Sequence, residues 1–146
     1  MTTQILAVAD MLEVCMPALE TSYRVHKLYA SDDPAAMVRS VGPHVRAIAT
    51  DGTNGVSNAV IDACPQARMI ASFGVGYDKI DIAHCKDRGI KVTNTPDVLN
   101  DGVAELTQAL MLALCRRIPQ TDRYVRDGRW PAEGNYRLTG ELTGAT

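Results

Sequence analysis

The sequence predicts an α/β fold, a doubly wound parallel sheet of five strands, and three observations predict it. Five short apolar runs each end in a polar or glycine-bearing loop. Helical segments separate those runs, so each crossover returns the chain to run parallel to the strand before it. The chain has 146 residues, 46% of them apolar, which is enough to fill one core and argues against disorder.

Ile5 to Ala9 is an apolar run closed by Asp10, and Met11 to Leu19 carries apolar residues at helical spacing despite Pro17. Tyr23 to Leu28 alternates apolar with polar, as an edge strand does. Asp33-Pro34 then opens a helix through Val38 that stops near Gly42-Pro43. Ala47 to Thr50 is a buried strand, Asp51 to Gly55 a turn-rich loop, and Ser57 an N-cap for a helix from Asn58 to Cys64. Met69 to Ser72 gives a fourth strand. Asp81 to Arg88 gives a helix ended by Gly89, and Ile90 to Thr93 a fifth strand. With helices on both faces this is flavodoxin-like architecture, which places ligands at the carboxyl ends of the strands. The loops after Ala9, Thr50, Ser72 and Thr93 are therefore the candidate site.

Beyond Pro96 the pattern changes. Val103 to Cys115 is apolar almost all round, interrupted by Glu105, Thr107 and Gln108. Such a helix needs burial on most sides. Asn100 and Asp101 stand where an N-cap is wanted, Glu105 falls in the first turn, and Arg116-Arg117 suit the negative end of the helix dipole. A five-stranded sheet covered on both faces leaves no room for it, so the expected cover is another chain or a further domain. Ile118 to Thr146 holds one more helix, Gln120 to Arg126, and then an arm with little apolar pattern.

Charge and motif spacing exclude several functions. Fifteen Lys and Arg against 17 Asp and Glu give a net charge of −2, so neither nucleic acid nor an anionic membrane is an expected partner. No apolar run approaches a membrane span and the N-terminus has no leader pattern, which places the chain in the cytoplasm as an expectation. Cys15, Cys64, Cys85 and Cys115 form no C-x-x-C pair, and His26, His44 and His84 no ligand spacing, so no metal site is expected.

The loop Ser72-Phe73-Gly74-Val75-Gly76-Tyr77-Asp78-Lys79-Ile80-Asp81 is the most conspicuous candidate. Glycines on either side of Val75, after a buried strand, let backbone approach a ligand, and successive N–H groups there suit a carboxylate or phosphate. A tight turn of purely structural purpose fits the same pattern. It is not a dinucleotide fingerprint, because a third glycine is missing and the next helix is delayed to about Asp81.

That loop, the segment Arg88 to Pro96, and Val103-Ala104-Glu105-Leu106 leading to Arg116-Arg117 and Gly128-x-Trp130 together resemble the D-isomer-specific 2-hydroxyacid dehydrogenase family, most closely its glyoxylate/hydroxypyruvate reductase-like members. The likeness runs in order from about Ala47 to Leu142. It implies an NAD- or NADP-dependent enzyme reducing small 2-keto acids, with residues 1–98 as a flavodoxin-like substrate-binding domain and 99–146 as a dimerisation helix and arm. By resemblance, Gly74, Val75 and Gly76 offer N–H groups to the substrate carboxylate, Leu99 lines the substrate pocket, and Val103 lies on the nicotinamide side. The helix Val103 to Arg117 would form a homodimer.

The resemblance also implies a Rossmann domain and a catalytic Arg, Glu and His that no residue among the 146 matches, so a truncated, inactive chain that does not bind the cofactor alone is expected. Two other readings use the same residues. One is a non-catalytic dimerisation module. The other is a receiver-like signalling domain, suggested by Asp10 and Asp51 after the first and third strands, but with Thr95 where a Lys is required.

Overall fold

Five strands, β1 (Gln4–Ala7), β2 (Arg24–Lys27), β3 (Val45–Asp51), β4 (Met69–Phe73) and β5 (Lys91–Thr93), pair in parallel in the order β2-β1-β3-β4-β5. This is a computed structural model, and it describes residues 2–11 and 15–144. All strands run one way, so every loop that follows a strand emerges at the same end of the sheet. The order turns back at β1, whose neighbours are β2 and β3, and that reversal is where open sheets of this kind leave a crevice.

The helices of this first unit, Met1–Val98, are α1 (Cys15–Ser22), α2 (Pro34–Val41), α3 (Asn58–Asp62) and α4 (Ile82–Asp87). Their ends follow from local chemistry. Asp33 accepts the Ala36 N–H at 2.9 Å and Pro34 takes the first helical position, where its missing donor costs nothing. Ser57 and Asp81 cap α3 and α4 by accepting from Val60 and His84. Gly89, at φ 67°, closes α4 with Ile90 N–H donating to the Cys85 carbonyl at 2.8 Å, a left-handed cap that glycine adopts without strain. Of the expected first helix, Met11 to Leu19, residues 15–19 fall in α1, which continues to Ser22; residues 12–14 lie outside the described residues.

The larger core lies on one face of the sheet. Leu6, Ile48 and Ile70 meet Val38 of α2, Ile61 of α3 and Cys85 of α4, all of them buried. Each such aliphatic side chain contributes about 1.5–3 kcal/mol by leaving water. The opposite face is smaller: Ile5, Ala7 and Ala49 pack with Met11 and Met16 under α1.

Helices lie on both faces as expected, but the second face is only partly covered. Met69 and Phe73, which share it on β4, remain 40% and 42% exposed. The cause is the handedness of crossovers: β1 to β2 steps one way across the sheet and sends α1 to one face, whereas β2 to β3, β4 and β5 all step the other way and send α2, α3 and α4 to the other. Within this unit α1 alone covers its face, and the strip over β4 and β5 is bare.

The second unit, Leu99–Thr146, contains α5 (Asn100–Cys115), α6 (Ile118–Arg126) and α7 (Arg129–Glu133). The helix α5 begins three residues before the expected Val103. Asn100 and Asp101 therefore lie inside its first turn rather than at the cap, which is Leu99 and has no side-chain cap bond, and Glu105 falls in the second turn. Asp101 there sits favourably at the positive end of the helix dipole. No residue of α5 is buried; Leu106, Leu110 and Leu114 are all more than half exposed. Arg117, at φ 51°, breaks the chain into α6, which has Pro119 in its first turn.

The short α7 was not expected from the sequence. It is held by the Arg129–Glu133 pair at 2.7 Å, by the Arg129 guanidinium 4.8 Å above the Tyr124 ring, and by the Tyr124 hydroxyl donating to the Gly134 carbonyl at 3.0 Å.

Candidate functional site

The site is built at the carboxyl ends of β3, β4 and β5. β4 is released from the ladder at Phe73, and Gly74 turns at φ 115°, a conformation closed to most side chains. Both polar groups of Gly74 are taken by one residue after β5: its N–H donates to Thr95 Oγ1 at 3.1 Å, and its carbonyl accepts the Thr95 N–H at 2.9 Å. Asn94 Nδ2 donates to the Val75 carbonyl at 2.8 Å. From the other side Gly52 donates to the Phe73 carbonyl at 3.1 Å.

These bonds leave a specific remainder. Among the described residues, the N–H groups of Val75 and Gly76 have no internal acceptor, and both residues are exposed. Two consecutive free amides on a loop pinned at three points can take the two oxygens of a carboxylate. Of the three loop residues singled out in the sequence, Gly74 thus supplies shape, its donor being already engaged by Thr95, while Val75 and Gly76 supply the free donors.

The β3–α3 loop beside it is fixed by its own carboxylate. Asp51 Oδ1 accepts from the Thr53 and Asn54 amides at 2.9 and 2.6 Å, and the Asn54 side chain donates to both oxygens. Burial pushes the Asp51 carboxyl up, but the Asn54 and Thr53 donors and the Lys79 charge outweigh it and hold it below the ordinary 3.8. Lys79 Nζ donates to the Thr53 carbonyl, tying this loop to the far end of the glycine loop. Asp10, Met11, Asp51, Gly52, Thr53, Phe73 and Gly74 line a concavity here.

Asp51 is tied to Thr53 and Asn54 within its own loop, and the Thr95 hydroxyl accepts from Gly74. Among the described residues no three His, Cys, Asp or Glu side chains gather as a metal would need, and no helix is long and apolar enough to cross a membrane.

Leu99 and Val103, the remaining residues singled out in the sequence, fall in the second unit. They stand one helical turn apart at the start of α5, where Val103 N–H donates to the Leu99 carbonyl at 3.0 Å, and both are more than half exposed. A dinucleotide needs a glycine turn that leads directly into a helix N-terminus. The described residues do not build one: α4 starts at Ile82, after a stretch that folds back so that Ile80 N–H donates to the Tyr77 carbonyl.

What sequence reasoning missed is the pair Asn94 and Thr95. Their partners lie 19 and 21 positions earlier, so only the register of β4 against β5, which brings Ala71 opposite Thr93, reveals them.

Comparison with known proteins bears on this geometry. The sequence profile of the D-isomer specific 2-hydroxyacid dehydrogenase catalytic domain matches residues 5–146. A glyoxylate/hydroxypyruvate reductase A of Arabidopsis thaliana is 38% identical over 126 residues, covering 86% of this chain and 40% of that protein. A glyoxylate reductase of Thermofilum pendens is 47% identical over 96 residues, 64% of this chain and 28% of that one.

Among solved structures, a 2-hydroxyacid dehydrogenase from Ketogulonicigenium vulgare superposes with a TM-score of 0.88 at 45% identity over 97% of this chain and 45% of its own. An NADPH-dependent glyoxylate/hydroxypyruvate reductase from Sinorhizobium meliloti, in complex with NADP and malonate, gives a TM-score of 0.77 at 32% identity over 100% of this chain and 45% of its own. The chain spans less than half the length of each of these relatives.

Proposed function

The chain belongs to the D-isomer specific 2-hydroxyacid dehydrogenase family, and from that membership we infer that it forms the substrate-side portion of a reductase of small 2-keto acids, gripping the substrate carboxylate with the amides of Val75 and Gly76. The observation that carries this reading is the pair of exposed, unpaired N–H groups of Val75 and Gly76 on a loop held in place by Thr95, Asn94 and Gly52. Glyoxylate and hydroxypyruvate are the substrates of choice, because the Arabidopsis thaliana, Thermofilum pendens and Sinorhizobium meliloti relatives are named for one or both of these acids. Leu99 would line the pocket wall and Val103 would face the nicotinamide.

The reaction of the family is reduction of the 2-keto group to a D-2-hydroxy acid with oxidation of NADH or NADPH. The described residues contribute the grip and no proton or hydride transfer, so the 146-residue polypeptide alone should neither turn over nor retain a dinucleotide. The helix expected over Val103 to Arg117 ends at Cys115, and we propose a homodimer contact on its face from Val103 to Cys115, because that helix leaves its leucines in water within this chain.

Titration of the isotopically labelled chain with glyoxylate tests the reading. Shifts centred on the Val75 and Gly76 amides are expected, with no NADPH consumption; unmoved amides at those two positions would refute it. A purely dimerising module would give the same sedimentation behaviour and no amide shifts.

A further inference from the structure

We propose that Thr95 is the positioning residue of the carboxylate grip: by binding both polar groups of Gly74 it selects the loop conformation in which Val75 and Gly76 keep free donors. The inference rests on the substrate reading above and adds to it a residue remote in sequence.

A loop with two glycines in three residues has many backbone conformations open to it, and binding by bare amides is efficient only if the loop is already arranged. Gly74 is the residue whose conformation decides the direction of the two amides that follow, and its φ of 115° is one choice among those a glycine can make. What fixes that choice is a two-point clasp. Thr95 Oγ1 accepts the Gly74 N–H and Thr95 N–H donates to the Gly74 carbonyl, at 3.1 and 2.9 Å.

Thr95 can do this because β5 runs parallel to β4 in register through Ala71 and Thr93, so the chain two residues further on meets the loop two to three residues further on. Pro96 follows directly, and a residue before proline is held in extended backbone, which keeps the Thr95 N–H and side chain facing Gly74. Thr95 is half-buried and touches the grip only through Gly74, so its effect is on geometry. Removing its hydroxyl would free a third donor, Gly74 N–H, and release the turn that aims the other two.

Amide exchange and glyoxylate titration of the labelled 146-residue chain, with Thr95→Val and Thr95→Ser beside it, test this. In the parent chain Gly74 N–H should exchange more slowly than the Val75 and Gly76 amides; equal exchange overturns the proposal without any variant. Thr95→Val, close to threonine in shape, should speed Gly74 exchange and weaken glyoxylate binding by about threefold to tenfold after correction for the folded fraction. Thr95→Ser should restore both to within about twofold.

A structural role alone would lower the denaturation midpoint and leave the corrected affinity where it was. Parent-like affinity in Thr95→Val, with the parent chain binding glyoxylate, overturns the positioning role and leaves the substrate reading intact. Failure of glyoxylate to move Val75 and Gly76 in the parent chain overturns both.

Discussion

A β-carbon placed on Gly52 would stand 2.6 Å from the Gly76 carbonyl oxygen, so the loop after β3 and the loop after β4 touch backbone to backbone. Neither loop can shift without moving the other. Gly52→Ala should therefore cost about 1–3 kcal/mol of stability through backbone displacement and, by pushing Gly76, weaken glyoxylate binding as well. Denaturant unfolding followed by amide titration of the variant checks both parts.

Gly74 and Gly102 should respond in opposite directions to alanine. Gly74 holds φ at 115°, and Gly74→Ala should destabilise by about 1–3 kcal/mol. Gly102 lies inside α5 with nothing within 4 Å of an added β-carbon, and Gly102→Ala should stabilise that helix by about 0.5–1 kcal/mol. Thermal melts of the two variants distinguish a glycine required by conformation from one that merely occupies a helix.

Leu114 is 80% exposed and Leu110 61% exposed on the same helix, four residues apart and hence on one face. The parent chain should sediment as a dimer at tens of micromolar, and Leu110→Glu with Leu114→Glu should sediment as a monomer with an unchanged circular dichroism spectrum. A parent chain that stays monomeric would remove the α5 face from the account of assembly.

Asp51, Asp62 and Asp81 are all held below the ordinary carboxyl value of 3.8. For Asp62 the cause is first the His84 side chain and then Arg88, at 2.8 and 2.7 Å; for Asp81 it is first the His84 amide and then the Asn58 side chain. A carboxyl that binds its proton less readily when folded contributes stability above its unfolded pKa, and that contribution is lost as pH falls through the folded value. The unfolding midpoint should hold near neutrality and drop below about pH 4. Asp81→Asn, which keeps the cap but does not titrate, should flatten that drop.

The thiols divide by burial. Burial pushes Cys64 and Cys85 up from 9.0, and both are enclosed, whereas Cys15 and Cys115 are half-buried. A maleimide at neutral pH should label Cys15 before Cys64 and Cys85, and mass spectrometry of the timed reaction reads the order.

How much of this was legible in the sequence depended on how local each cause is. Asp33, Ser57, Asp81 and Gly89 act on amides three or four residues away, and their helices fall where the sequence placed them. The glycine loop was visible as composition. Its division of labour was not, because the acceptor for Gly74 N–H comes from across the sheet.

The bare strip on the sheet was missed for another reason. Counting helices says how many there are; only strand order, through crossover handedness, says which face each one takes. The short α7 depends on an aromatic ring and an ion pair rather than on periodicity, and Pro131 in its middle hides it.

The uneven division of helices between the two sides of the sheet makes unfolding uneven too. Three helices share a single continuous hydrophobic seam, while α1 packs by itself on a smaller cluster around Ile5, Ala7, Met11 and Ala49. Gentle denaturation should peel α1 away while its neighbours across the sheet still hold, so its amides would surrender deuterium protection in a separate early step. The glycine loop of Gly74, Val75 and Gly76, anchored to strands seated in the stronger seam, would outlast it.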